Sequence, residues 1–233
     1  MTPQDWIGLA LVYAIIATSV AVALFLDRKN LKIDSRKVIH IGVGAFVLVW
    51  WMFSENWIMF VLFALPFAIV LLLAMFDGNP ISKSRLGSVA NDQGHRYGLF
   101  LYVVSIGLMI VFFWEHWTAA TIGIVAMTVG DGFGSVIGRR FGKHPTVNGK
   151  SLEGTIGVFT ATFVAAAFIM IYYGWLTSMG FYPSGDSIPL IPIWTASLIA
   201  GAIASILEMV CPGEYDNILI PVVTASAMVL LGL

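Results

Sequence analysis

Residues 117–154, WTAATIGIVAMTVGDGFGSVIGRRFGKHPTVNGKSLEG, begin as an apolar helix and end in a polar segment rich in glycine. Residues 117–129 carry no charged side chain, and Asp131 follows about 14 residues into the helix, ~21 Å along an axis that rises 1.5 Å per residue. A helix that crosses ~30 Å of hydrocarbon ends shortly beyond that point. The charged residues of 130–154 are therefore predicted to lie at a membrane boundary.

The composition of the whole chain predicts an integral membrane protein. Of its 233 residues, 59% are hydrophobic and 11% are charged, against about 45–50% and about 25% in soluble domains. We expect an all-α, polytopic membrane helix bundle with about eight transmembrane helices, built as a single domain over residues 1–233. The helices are predicted at 6–26, 38–53, 57–76, 97–114, 117–138, 155–176, 190–210 and 218–233. The second and the last hold sixteen residues each, so they need snorkelling flanks or local thinning to span.

The basic residues predict the orientation of these helices. All 12 Lys and Arg residues fall in the loops after the first, third and fifth predicted helices, and basic loops stay on the cytoplasmic side. Both termini are therefore expected to lie outside. Residues 1–5 carry no positive charge ahead of the first apolar run, so this run is expected to be a permanent helix and not a cleaved signal.

Two ridges of residues stand side by side at the end of the fifth predicted helix, if the helix continues that far. One is made of glycines and the next of polar residues, each at intervals of four: Gly130, Gly134, Gly138 and Gly142, then Asp131, Ser135, Arg139 and Lys143. Glycine ridges allow another backbone to approach closely. A carboxylate inside a membrane segment is usually functional, although a structural ion pair is the alternative.

The residues after this helix predict a phosphate site. Ser151 is a candidate N-cap for the next helix, with Glu153 in its first turn. Lys150 then precedes a helix N-terminus, where free N–H groups and the helix dipole favour an anion. Gly149–Lys150–Ser151 imitates the end of a Walker A motif, but His144 replaces its first glycine and a helix rather than a strand precedes the loop.

A loop near the C-terminus is acidic where the other predicted cytosolic loops are basic. It carries Glu208, Glu214, Asp216 and Asn217, and such oxygen ligands suit Mg²⁺, with Asp131 as a further candidate. The alternative is that these acids only neutralise the basic loops. The single cysteine, Cys211, has no Cys/His cluster around it, which argues against the usual zinc and iron–sulfur sites.

Two further groups on the same predicted face are candidate site residues. Arg36, Lys37 and His40 open the second predicted helix, and Arg96 directly precedes the fourth. Membrane anchoring by positive charge, and an interhelical hydrogen bond of His40, are the alternatives.

These motifs together resemble those of the polyprenol kinase family, which includes dolichol, phytol and farnesol kinases. The family pattern is roughly G-D-x-x-A-S-x-x-G-x-x-[FY]-G followed by K-[ST]-x-E-G, and this chain has GDGFGSVIGRRFG and then KSLEG. RKVIH at 36–40 and YDNILIP at 215–221 extend the resemblance over most of the chain. Gly134 stands where the family often has alanine. The chain resembles a compact prokaryotic member, which implies the plasma membrane as its location.

The resemblance implies a CTP-dependent kinase that transfers a phosphoryl group to the terminal hydroxyl of a polyprenol- or phytol-type alcohol at the cytosolic membrane face. Its implied partners are a membrane lipid alcohol, a nucleoside triphosphate and Mg²⁺, and no nucleic acid. We hypothesise catalytic roles for Asp131, Lys150 and Glu153; phosphate binding by Arg139, Arg140, Lys143, Lys150, Ser151 and Gly154; metal binding by Asp131, Glu153 and Asp216; and additional roles for Arg36, Lys37, His40, Arg96, Glu208 and Asn217.

Two other functions remain as alternatives. Phosphatidate cytidylyltransferases (CDP-diacylglycerol synthases) carry a similar G-D segment and K-K-T-x-E-G, and they attack the α-phosphorus of CTP with a lipid phosphate. Their ending resembles H-G-G-x-x-D-R-x-D, whereas CPGEYDN at 211–217 has neither histidine nor arginine. A transporter would place charges near the bilayer centre and often contain inverted repeats, and neither feature is visible.

Overall fold

The computed structural model describes residues 1–29, 34–84, 87, 97–181 and 191–233. Within these ranges the chain forms eight helices and no strand, which confirms the all-α prediction for the described residues. The chain divides into two compact units, residues 1–111 and residues 112–233.

The first unit contains four helices. Its helices are α1 (Pro3–Arg28), α2 (Ser35–Gly44), α3 (Asn56–Met75) and α4 (Gly98–Phe112). α2 continues as a 3₁₀-helix over Ala45–Met52. The capping box of Thr2 and Asp5 begins α1, and Asp34 accepts hydrogen bonds from the first N–H groups of α2.

Pro66 explains the irregular middle of α3. Proline has no N–H, so Pro66 donates no hydrogen bond to the carbonyl four residues earlier, that of Leu62. The helix is π-helical over Phe60–Ala64, a segment that ends two residues before Pro66. The Tyr13 hydroxyl of α1 donates a 2.6 Å hydrogen bond to the Leu62 carbonyl, so a partner from another helix satisfies this oxygen.

The second unit contains the other four helices: α5 (Trp117–Phe141), α6 (Leu152–Ser178), α7 (Ile193–Val210) and α8 (Asp216–Leu230). α5 packs against α6 and α8, and α7 packs against the same two helices. The connections after α5 and after α7 both lie at one end of the unit, where α6 and α8 begin. A short 3₁₀-helix, Val147–Gly149, stands between α5 and α6.

Glycines bring the helices of the second unit into close contact. A Cβ atom placed on Gly134 of α5 would lie 2.2 Å from Val158 Cγ2 of α6. One placed on Gly123 would lie 2.5 Å from the Pro221 carbonyl oxygen of α8. Both distances are shorter than van der Waals contact. The close backbone approach expected of the glycine ridge is confirmed at α6.

The helices have the length and composition of membrane spans. Five of them in the described residues, α1, α3, α5, α6 and α7, are long and apolar enough to cross a membrane, and α4 and α8 are shorter apolar helices. Large apolar side chains such as Trp6, Phe112 and Trp194 are more than half exposed, a pattern that suits contact with lipid. The chain is a multi-pass membrane protein.

The Gly123 contact predicts a large difference between two glycine-to-alanine variants. Gly123→Ala forces its Cβ against the Pro221 carbonyl, and overpacking of this kind costs about 1–3 kcal/mol. The matched control is Gly174→Ala in α6, because a Cβ on Gly174 meets nothing within 4 Å and alanine improves helix propensity by about 1 kcal/mol. We expect Gly123→Ala to lower the Tm in detergent by several degrees and Gly174→Ala to leave it equal or higher. Equal Tm values for both would contradict the packing.

Candidate active site

The ammonium group of Lys150 joins two acids at the end of the second unit. Lys150 Nζ donates hydrogen bonds to Glu208 Oε1 at 2.8 Å and to Asp216 Oδ2 at 3.4 Å. The Glu208 and Asp216 side chains are 5% and 8% exposed, and that of Lys150 is 25% exposed. The three residues come from the segment before α6, the last turn of α7 and the first position of α8. The pairing therefore ties three elements together.

The surroundings of Lys150 keep it charged. Burial lowers the pKa of Lys150, but the negative charges of Asp216, Glu208 and Asp131, with the hydrogen bond to Glu208, outweigh burial and raise the pKa above its ordinary value. Lys150 is therefore a cation throughout the physiological pH range. The negative charge of Asp131 makes the smallest of these contributions to the raised pKa of Lys150.

Asp131 occupies an unusual position in α5. It is 3% exposed and is the last residue of a π-helical segment, Ala126–Asp131. Ser135 Oγ lies one turn further along and donates to Asp131 Oδ1 at 3.4 Å. π-Helical segments inside α-helices occur frequently at functional sites. The apolar pattern predicts one helix over 117–138 and carries no sign of this π-helical segment.

Several oxygen atoms of this cluster are suited to a hard cation. Glu208 Oε2 and Asn217 Oδ1 are buried and accept no hydrogen bond from the described residues, while Asn217 Nδ2 donates to Asp216 Oδ1 at 3.3 Å. The carboxylates of Glu208 and Asp216 both face the single ammonium group of Lys150.

These oxygen atoms are of the kind that binds Mg²⁺. No group of three or more His, Cys, Asp or Glu side chains in the described residues forms a ready metal cage. Mg²⁺ is usually held by one or two carboxylates, substrate phosphates and retained water, so the carboxylates and the amide oxygen of this cluster are of the right kind.

The segment between α5 and α6 is held by its own hydrogen bonds and by α7. Asn148 has a left-handed backbone with φ of 57°, and its Nδ2 donates to the Val210 carbonyl at 2.9 Å. The Thr146 N–H donates to the Lys150 carbonyl at 2.9 Å, and the Leu152 N–H donates to the His144 carbonyl at the same distance. Asn148 thus fixes Lys150 beside the end of α7, next to Glu208.

Glu153 hydrogen-bonds to the segment that follows α5. Glu153 Oε2 accepts hydrogen bonds from the backbone N–H groups of Lys143 at 3.0 Å and His144 at 3.3 Å, and Oε1 lies 2.7 Å from His144 Nδ1. The Glu153 carboxylate therefore holds the segment between α5 and α6. Ser151 caps the start of α6, since its Oγ accepts a hydrogen bond from the Gly154 N–H at 3.2 Å. Among the residues that the structure describes, the hydrogen-bond partners of Glu153 do not include Lys150, Glu208 or Asp216.

The predicted phosphate-binding cations lie at the surface of the same end of the unit. Arg139, Arg140 and Lys143 are exposed, in the last turn of α5 and just beyond it. Arg139 Nε donates to the Ser135 carbonyl at 3.4 Å, and the Arg140 guanidinium lies 5.5 Å from the centre of the Phe141 ring. These three cations are outside the buried acidic cluster.

The remaining candidates belong to the first unit. The backbone N–H groups of Arg36 and Lys37 donate to Asp34 Oδ1 at 3.0 and 3.3 Å. His40 is 4% exposed, and its ring centre lies 4.4 Å from that of Tyr102. Arg96 lies outside the described residues.

Comparison with known proteins identifies the family. The chain is 31% identical to a phytol kinase of Synechocystis sp. over 228 residues, which cover 94% of this chain and 89% of that protein. The chain belongs to the polyprenol kinase family. This polyprenol kinase family member is therefore a phosphotransferase.

Other members of the family are longer than this chain. A chloroplastic farnesol kinase of Arabidopsis thaliana is 32% identical over 84% of this chain and 64% of its own length. The chloroplastic phytol kinase 1 of the same plant is 29% identical over 83% of this chain and 64% of its own length. No family model matches the chain. No solved structure matches it at a significant level.

The Asn148 contact predicts a graded loss of stability. Asn148→Gly loses the hydrogen bond to Val210, worth about 1 kcal/mol, but accepts the left-handed backbone. Asn148→Ala loses the same bond and adds about 1 kcal/mol of backbone strain. We expect the Tm in detergent to fall in the order wild type, Asn148→Gly, Asn148→Ala. An alanine variant as stable as the glycine variant would contradict the strained conformation.

Removal of the Lys150 charge is expected to abolish kinase activity and to lower stability. Lys150→Met leaves the buried carboxylates without their cation, and breaking a buried ion pair costs about 3–5 kcal/mol when no water can enter. Because Lys150 is partly exposed, the cost here is smaller. We expect activity to fall at least about 100-fold and the Tm to fall. The double variant Lys150→Met/Glu208→Gln should regain Tm but not activity, and a Lys150→Met enzyme with wild-type turnover would exclude Lys150 from the site.

Proposed function

We propose that this chain transfers the γ-phosphoryl group of CTP to the terminal hydroxyl of an isoprenoid alcohol, with Mg²⁺, at the cytosolic face of the membrane. Relatives named phytol kinase and farnesol kinase support an isoprenoid alcohol as the acceptor. The observation that carries the proposal is the buried cluster in which Lys150 bridges Glu208 and Asp216 beside Asp131. The cluster lies at the end of apolar helices, where a lipid alcohol and a soluble nucleotide can meet.

The reaction needs positioning and charge more than covalent chemistry. The hydroxyl oxygen of the alcohol forms a bond to the γ-phosphorus, and the bond from that phosphorus to the β,γ-bridging oxygen breaks, so CDP leaves. The hydroxyl proton passes to a carboxylate. We assign this role to Asp131, because it is buried ten residues before the end of the apolar helix α5 and is close enough to Lys150 to influence its pKa.

Lys150 is assigned to a phosphate oxygen of the nucleotide. An ammonium group has three N–H donors, and Glu208 and Asp216 account for two of them. The third donor is left for a non-bridging oxygen. The two carboxylates hold the ammonium group in a fixed position, so little further ordering is needed when the nucleotide binds.

Glu208, Asp216 and Asn217 are assigned as the residues that would hold Mg²⁺. Bound Mg²⁺ would offset the negative charge of the β- and γ-phosphates. The support for this assignment is the pair of buried oxygens without hydrogen bonds, Glu208 Oε2 and Asn217 Oδ1. Glu153, which the sequence also suggested as a metal ligand, is given the role of holding the segment before α6, because its carboxylate accepts two backbone N–H groups there.

The exposed cations Arg139, Arg140 and Lys143 are assigned to the outer part of the triphosphate. Their place in the basic loop after α5 supports a cytosolic position by the positive-inside rule, with both termini outside. In a prokaryotic cell this membrane is the plasma membrane. CTP as the donor rests on the resemblance to the family's motifs.

Labelled CTP distinguishes this kinase from a cytidylyltransferase. Purified protein in detergent is mixed with Mg²⁺, CTP that carries label at the α- or the γ-phosphorus, and either an alcohol (phytol or farnesol) or a lipid phosphate (phosphatidate). We expect γ-label in the lipid, release of CDP, and loss of the reaction when EDTA removes Mg²⁺. Transfer of α-label to a lipid phosphate, with release of pyrophosphate, would overturn the proposal in favour of cytidylyl transfer.

Two carboxylate-to-amide variants serve as a matched pair in the same assay. Asp131→Asn is expected to lower turnover about 10²–10⁴-fold, the usual contribution of a positioned acid or base, with little change in Tm. Glu115→Gln changes an exposed carboxylate before the start of α5 and should retain wild-type turnover. Retained activity in Asp131→Asn would remove Asp131 from the chemistry.

A further inference from the structure

Three threonine hydroxyl groups in the second unit are buried and form no hydrogen bond with any described residue. They belong to Thr128 of α5, Thr162 of α6 and Thr224 of α8, and each of these residues is 0% exposed. A buried polar group that is left without a partner costs about 1–3 kcal/mol. Buried polar groups in native proteins are paired in the large majority of cases, so each of these hydroxyls is a candidate binding group for a ligand.

Thr162 differs from the other threonines of α6 in how its hydroxyl is bonded. A threonine hydroxyl in a helix commonly donates to the carbonyl three or four residues earlier. Thr155, Thr160 and Thr177 of the same helix all donate to the carbonyl four residues earlier, at 3.2, 2.9 and 2.9 Å. Thr162 does not form this bond. Its hydroxyl is therefore available to a group that does not belong to its own helix.

The Thr162 hydroxyl lies against the segment of α5 that carries Asp131. A Cβ atom placed on Gly130 would lie 2.2 Å from Thr162 Oγ1, so the hydroxyl lies in the space of the side chain that Gly130 lacks. Asp131 is the next residue, and both belong to the π-helical segment Ala126–Asp131. Asp131 is ten residues before the end of α5, and Thr162 is ten residues after the start of α6, ~15 Å along each helix axis. The two residues therefore lie at the same depth in the second unit.

An alcohol oxygen is a suitable partner for an unpaired hydroxyl at this place. The Thr162 hydroxyl can donate one hydrogen bond. In the proposed reaction, Asp131 takes the proton of the alcohol, and one lone pair of the alcohol oxygen forms the bond to the γ-phosphorus. The other lone pair of that oxygen is left to accept a hydrogen bond. Thr162 therefore supplies a donor beside the segment whose carboxylate takes the proton.

We propose that Thr162 is a substrate-binding residue, whose hydroxyl donates a hydrogen bond to the oxygen of the alcohol and holds that oxygen beside Asp131. This inference rests on the proposed function, because it takes the same alcohol and the same base. The Thr162 hydroxyl is then paired only while the alcohol is bound. In the free protein it is an unpaired buried group, so it lowers stability in the state that waits for substrate.

Removal of this hydroxyl should change activity and stability in opposite directions. For Thr162→Val we expect kcat/KM for farnesol to fall about tenfold, the size of one hydrogen bond, with an unchanged KM for CTP and an equal or higher Tm in detergent. Thr162→Ser keeps a hydroxyl and should restore most of the activity. The matched control Thr160→Val removes an exposed hydroxyl that bonds within α6 and should leave activity unchanged. Wild-type kcat/KM in Thr162→Val, or a lower Tm with equal losses for farnesol and CTP, would overturn the inference.

Equilibrium binding of radiolabelled farnesol in the absence of CTP tests Thr162 apart from phosphoryl transfer. We expect the Kd for farnesol to rise about tenfold in Thr162→Val and to stay unchanged in Thr160→Val. An unchanged Kd in Thr162→Val would overturn the inference even if the wild type transfers the γ-phosphoryl group, and a fall in kcat alone would then assign the hydroxyl to a buried water. Weaker binding by Thr162→Val, with no γ-phosphoryl transfer by the wild type, would retain the alcohol contact and reject the proposed kinase reaction.

Discussion

The ion pairs of Lys150 are the interaction on which the second unit depends. Glu208 and Asp216 are almost fully buried, and a buried carboxylate is very costly unless it is paired and hydrogen-bonded. One ammonium group donates a hydrogen bond to each of these carboxylates and joins the start of α6, the end of α7 and the start of α8. The ends of three helices therefore meet around a single ammonium group.

Close packing of α5 on α6 supplies the other half of this arrangement. Gly134 allows the two backbones to approach, since a Cβ there would overlap Val158. α5 is π-helical over the segment that ends at Asp131, and Asp131 lies within electrostatic reach of Lys150. Asn148 and Glu153 then hold the segment between the helices, through the Val210 carbonyl and through the N–H groups of Lys143 and His144.

Much of this arrangement is visible in local sequence patterns. Apolar runs, the alternation of basic loops and the ridge from Gly130 to Gly142 depend only on residues that are near one another in the chain. The Asn148–Gly149 pair is likewise a turn signal. The π-helical segment and the partners of Glu153 were not visible, because a hydrogen-bond register and the choice between competing donors depend on how neighbouring helices pack.

The sequence by itself determined the membrane setting, the all-helical class and the two segments that carry the charged residues, since hydropathy and charge spacing are local properties. Only the tertiary structure decided that Lys150 pairs with Glu208 and Asp216, which lie 58 and 66 residues away, and that Glu153 pairs elsewhere. It also decided that side chains from α1, α2, α3 and α4 line one apolar cavity. These outcomes depend on distances through space between helices, and no spacing along the chain encodes them.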